Sequence, residues 1–238
     1  MLADSEVERA LVVQAHPDDV DFGAAGTVAT WTRAGIEVVY CICTDGQAGG
    51  FDDAVPRTEI PRIRRAEQRK AAAAVGVQDV RFLGHMDGEL TVSNDLVREL
   101  TAVIRQVRPQ RVLLPSPERN WDLMAASHPD HLAAGEAAVR AVYPNAENTY
   151  AFPELAEQGL PAWKVTEIWL SAHPTTNHAV DVTDVFDQKM SALLSHASQH
   201  PEPERLEPML RQAFGRTAVQ SGLPEGRLAE GFSVHALR

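Results

Sequence analysis

The chain is short of sulfur, of basic residues and of long apolar runs. Its 238 residues hold two cysteines, Cys41 and Cys43, in "VVYCICT". A pair at i and i+2 on a strand shares one face and is badly placed to bridge, so both are expected as free buried thiols, which suits a reducing cytoplasm. With no C-x-x-C, a structural zinc of the thiolate type is excluded. Lys and Arg number 22 against 33 Asp and Glu, a formal charge of −11. That deficit argues against a nucleic-acid partner or insertion at an anionic membrane, and it makes "RIRRAEQRK" a solvated helix face. The opening "MLADSEVERA" has neither the basic start nor the apolar core of a signal peptide, and no apolar run is long enough to span a bilayer. There is no internal repeat and no low-complexity tract.

What is present is an ordinary globular composition, 44% apolar and 23% charged, read as one domain over 1–238. Apolar runs rich in β-branched residues predict strands at 10–15, 36–44, 79–84, 110–117 and 164–172, with "AVDVT" at 179–183 as a short extra one. Helical patterns lie between them, at 24–35, 58–76, 93–109, 127–144 and 181–199. Pro61 belongs in a first turn, Ser93 or Asn94 is the cap of the third helix, and Pro109 stops it. Residues 201–230 are expected to add a surface helix and a loop. This alternation predicts an α/β fold, mostly parallel, with helices on both faces.

In such a sheet ligands collect beyond the carboxyl ends of the strands, where the order reverses; for order 3-2-1-4-5 that is between strands 1 and 4. The loop after strand 1 is "HPDDVD", and the one after strand 4 leads to "HPDH" at 128–131. Each alone reads as a solvated turn or a helix cap. Facing each other, they read as a metal site. His16, Asp19 and His131 can supply three ligands and leave a position open, as a catalytic Zn2+ requires. Asp18 is then free as a general base toward a metal-activated water. His128 is placed to stabilise an oxyanion in its protonated form, and Asp130 to orient a histidine through its ring N–H. Trp121, in the loop before "HPDH", is the aromatic expected to meet a sugar ring, whereas Trp31 and Trp169 are expected in the core.

"AHPDD" and "HPDH" together resemble the paired motifs of the zinc-dependent deacetylases of the PIG-L/LmbE type. The likeness runs in order through "TDGQAGG", "RRAEQRKAAAAVGV", "FLGHMDGEL", "DVFDQKMSALLSHASQ" and "AEGF". It implies a Rossmann-like three-layer fold and hydrolysis of an N-acetyl or N-acyl group on a small-molecule amino sugar, with Zn2+ or, in the cell, Fe2+. His16, Asp19 and His131 match the ligand positions, Asp18 the base, His128 the transition-state histidine and Asp130 its supporting carboxylate. Arg64 and Asp87 match positions on the substrate side. Val20 and Asp21 depart from the family pattern, as do Gln47 and Ala126, which stand where relatives often have Glu and Tyr.

Two rivals remain at this point. One is an amidase using the same chemistry on a larger thiol or natural-product conjugate. The other is a non-catalytic metal- or sugar-binding module, which would not need the carboxyl of Asp18 beside the ligands. Nucleotide binding is weak, because "HPDDVDFG" is not a glycine-rich phosphate loop. Homo-oligomerisation is compatible with the sequence. His85 is either a site residue or a solvated one, His173 and His178 are candidates for the pocket border, and His200 and His235 are expected at the surface. His196 is read either as packed against the core, the favoured reading, or as hydrogen-bonding near the substrate.

Overall fold

A computed structural model describes residues 1–237. The strands are β1 (Arg9–Gln14), β2 (Glu37–Thr44), β3 (Asp79–His85), β4 (Arg111–Pro115), β5 (Glu167–Ser171), β6 (His178–Asp181) and β7 (Ala229–Ala236). The helices are α1 (Asp19–Gly23), α2 (Ala25–Arg33), α3 (Ile60–Ala74), α4 (Asn94–Val107), α5 (Pro129–Arg140), α6 (Pro153–Glu157), α7 (Phe186–Leu193) and α8 (Leu206–Gln220). The strands form one sheet in the order β3-β2-β1-β4-β5-β7-β6. Pairings from β3 to β5 are parallel, and β7 runs antiparallel to both β5 and β6. The expected 3-2-1-4-5 order is therefore found, with a terminal strand inserted next to β5.

Strand periodicity builds the three layers. Along β1, Ala10 and Val12 face one side while Leu11 and Val13 face the other; along β2, Val38, Tyr40 and Ile42 alternate with Val39, Cys41 and Cys43. One face packs against α2, α3 and α7, the other against α4 and α5. Both strands are buried on both sides, hence their unbroken apolar sequence. Cys41 and Cys43 are free and share a face, as their spacing requires. Ser93 caps α4 by accepting a hydrogen bond from the Leu96 amide at 3.1 Å, and Pro61 sits in the first turn of α3. Trp31 and Trp169 are both core residues and sandwich the Arg111 guanidinium, 4.8 and 4.6 Å from their ring centres.

Two local departures have physical reasons. "DVDFG" at 19–23, expected as loop, is the short helix α1, because the chain turns at Asp18 in a left-handed conformation (φ 91°) and then closes a helical turn. The segment 201–230 does hold a surface helix, α8, but the strand that follows it, β7, was not foreseen. Its sequence, "AEGFSVHA", contains Glu230 and Gly231, which break the apolar pattern. Among the described residues no helix is long and apolar enough to cross a membrane.

Candidate metal centre

The crevice between β1 and β4 gathers the two motifs. His16 leaves the end of β1, Asp19 opens α1, and His131 lies in the first turn of α5. His16 Nδ1 is 3.2 Å from His131 Nε2 and 3.5 Å from the Asp19 carboxylate, and His131 Nε2 is 3.1 Å from Asp19 Oδ1. Three donor atoms thus converge from residues over a hundred positions apart in sequence. Each imidazole is committed at its other nitrogen. His131 Nδ1 meets the Ala126 carbonyl at 3.2 Å. His16 Nε2 meets Asp130 Oδ2 and Asp87 Oδ1, both at 3.1 Å. With an ion bound, such partners would fix the tautomer and leave Nδ1 of His16 and Nε2 of His131 to ligate it. Two histidine nitrogens and a carboxylate, each held from behind, fit a divalent ion.

The local field points the same way. Burial works against the charged imidazolium of His16, but the carboxylates of Asp19 and Asp87 outweigh it and raise the group to about 11. Burial would likewise raise Asp19, yet His131 and His16 hold it well below the usual carboxylate range. The centre is a point of concentrated negative potential, which a dication answers.

Asp18 sits beside this set in a different setting. Its backbone is in the left-handed region, costly for a residue with a Cβ and typical of functional positions. A clamp holds it there. The Asp18 amide donates to Gln68 Oε1 at 2.8 Å, and Gln68 Nε2 donates to Asp21 Oδ2 at 2.9 Å. The same Asp21 oxygen is 2.8 Å from His196 Nε2. Asp21 and His196, both fully buried, thereby acquire a role: they brace the residue that braces Asp18. Burial pushes the Asp18 carboxyl up to about 6, against the pull of Arg64.

The substrate-side residues fall elsewhere than expected. Arg64 is buried, donating to the Gly46 carbonyl at 3.0 Å, to the Pro17 carbonyl, and to Asp18 Oδ2 at 3.0 Å, so it meets the site through Asp18. Arg65 does not replace it, because Asp45 binds it at 2.7 Å through two parallel bonds. Asp87 turns inward to His16 and accepts from the Ala48 amide at 3.1 Å. Trp121 is 77% exposed, stacks with Arg119, and stands outside the cavity wall. Gln47 joins two loops, donating to the His85 carbonyl and accepting from the Asp87 amide. His85 is paired with Glu99 at 2.7 Å.

Asp130 is fully buried and works twice. Its carboxylate binds His16 and accepts from the Gly88 amide at 2.7 Å, while its own amide donates to His128 Nδ1 at 3.2 Å. With Nδ1 an acceptor, His128 presents Nε2–H. Burial, and then the neighbouring His16, push its pKa below the usual imidazole value. A cavity of about 1180 Å³ opens from Asp18, Asp19 and His131; His173 and His178 do border it. His235 is exposed, but His200 is half-buried against the Phe22 ring.

A family model described as "PIG-L: GlcNAc-PI de-N-acetylase" matches residues 11–142. Diacetylchitobiose deacetylase of Thermococcus kodakarensis is 34% identical over 230 residues, 95% of this chain and 83% of its own. A probable N-acetyl-alpha-D-glucosaminyl L-malate deacetylase 2 of Bacillus cereus is 35% identical over 194 residues, 79% of this chain and 82% of its own. Among solved structures, N,N'-diacetylchitobiose deacetylase from Pyrococcus horikoshii superposes with a TM-score of 0.89 at 30% identity, covering 97% of this chain and 85% of that one.

Proposed function

The chain belongs to the PIG-L family, and on that premise we propose that it is a metal-dependent N-deacetylase acting on an amino sugar or amino-sugar conjugate. The observation that carries this reading is the pairing of a three-ligand set, His16, Asp19 and His131, with a separate buried carboxyl, Asp18, held at its edge by Arg64 and Gln68. A binding module has no use for that second carboxyl. Names of the relatives, which act on diacetylchitobiose and on a glucosaminyl malate, supply the substrate class. Zn2+ suits the two nitrogens and one carboxylate, and Fe2+ is the other ion that accepts such a set.

The ion supplies Lewis-acid activation of water and of the amide carbonyl. Asp18, ionised at neutral pH, takes the proton from the attacking water. The His128 Nε2–H donates to the carbonyl oxygen as negative charge develops there. Collapse breaks the C–N bond. The departing nitrogen takes its proton from Asp18, which holds the one removed from the water, while the His128 Nε2–H stays on the oxygen. Products are acetate and a free amine. Asp130 keeps both histidines in register, and Asp87 supports His16 from the far side.

The cycle takes place within one domain spanning 1–238, and free buried Cys41 and Cys43 fit a cytoplasmic setting. The reading is tested by acetate and amine release from diacetylchitobiose and N-acetylglucosamine, with metal analysis of the same protein. Activity that disappears on chelation and returns with Zn2+ or Fe2+ supports it. Full activity in metal-stripped protein, or none on any acetamido sugar, refutes it.

A further inference from the structure

The cavity beside the metal centre is larger than one acetamido hexose needs. Drug-sized ligands fill roughly 300–1000 Å³, and this space is about 1180 Å³. It extends away from Asp18 and His131 to the wall made by α8. There the lining includes Phe22, Met209, Ala213 and Phe214, with Asn177 and Gln220 as uncharged polar groups. No lysine, arginine or glutamate lines it among the described residues; its carboxylates are Asp18 and Asp19 at the metal end, beside His131, and His173 and His178 are the other titratable groups on its border. Arg64, the basic residue nearest the chemistry, is turned behind Asp18.

We propose that the α8 wall is an aglycone subsite, so that the substrate is an N-acetylated amino sugar joined to a neutral group with an apolar face, and that anionic conjugates are rejected. This rests on the deacetylase reading. A carboxylate or phosphate placed against the α8 wall would lose its hydration and find no lysine or arginine among the lining residues. The apolar side chains would gain nothing from it. A flat or aliphatic neutral group instead buries area against Phe214, Met209 and Phe22. The malate conjugate handled by one relative is thus the wrong class for this chain, despite comparable identity.

The test is kcat/KM, with one assay, for N-acetylglucosamine, diacetylchitobiose, 4-nitrophenyl N-acetylglucosaminide, N-acetylglucosamine 1-phosphate and N-acetylglucosaminyl malate. The 4-nitrophenyl conjugate is expected to be best and the two anionic probes worst, separated from it by more than about tenfold. Phe214→Ala should lower kcat/KM for the 4-nitrophenyl conjugate by about tenfold more than for N-acetylglucosamine. Ala213→Lys, which removes no core side chain, should raise the anionic probes relative to the neutral ones. Turnover of an anionic probe equal to or above the 4-nitrophenyl conjugate, or no change of ranking in either variant, overturns the subsite alone. No turnover of any of the five overturns the deacetylase reading and the subsite with it.

Discussion

Asp18 and Asp19 are chain neighbours whose carboxyls sit in opposite electrostatic settings. Asp19 faces His131 and His16 and is held ionised; Asp18 is desolvated, and its pKa rises to about 6 despite Arg64. A base is active when ionised, so kcat/KM should fall as pH drops through the Asp18 titration. Arg64 favours the ionised form. Arg64→Gln therefore raises the Asp18 pKa and shifts the acid limb of the pH–kcat/KM profile to higher pH; an unmoved limb, or one shifted to lower pH, contradicts the coupling. Asp130 is tested through the metal. Asp130→Asn removes an acceptor from His16, and metal affinity measured by competition with a chelator should fall about 10–100-fold. The ligands were legible in sequence because each lies in a short motif at the end of an element. The direction of Arg64 and Asp87 was not, because residue spacing does not say whether a side chain turns to solvent, to the loop or to a ligand. The Gln68–Asp21–His196 clamp was also hidden, since its members lie in α3, in α1 and beyond the end of α7, with no local signal.

At the scale of elements, α5 carries His131, with His128 as its N-cap, against the end of β4, and Gly135 lets it do so. A Cβ at Gly135 would lie 2.3 Å from the Pro115 carbonyl oxygen, which is backbone and cannot yield. Gly135→Ala should push the helix away, lower stability by about 1–3 kcal/mol, and weaken metal binding because His131 lies one turn earlier on the same helix. Thermal unfolding and a metal titration check the two effects. Unchanged values in both would contradict the packing account. Strands β1 to β5 were readable because burial on two faces forces an apolar run. β7 was not, because it mixes Glu230 with apolar residues, and that glutamate is explained only by its partner across the fold.

That partner belongs to the whole molecule. Lys189, on α7, is fully buried and pairs with Glu230 at 2.8 Å, while also donating to the carbonyls of Asp21 and Phe22. Glu230 in turn accepts from the Gly26 and Thr27 amides at the start of α2. The last strand is thus tied to the helix that follows the metal loop. Lys189→Met leaves the buried Glu230 carboxylate without its counter-charge and should lower stability by about 3–5 kcal/mol in denaturant unfolding; pairing it with Glu230→Met should recover part of the loss. The sheet is locked at its other end by Arg111, held between Trp31 and Trp169 and bonded to Glu167 at 2.7 Å. Stability is anchored at both ends of the sheet, chemistry only where the strand order reverses. The central claim is that metal binding and proton transfer belong to different carboxylates of "HPDD". It is tested by metal stoichiometry and turnover of diacetylchitobiose measured together on wild type and Asp18→Asn. The account predicts equal metal content with turnover reduced about 10²–10⁴-fold; near wild-type turnover, or loss of the metal, would contradict it.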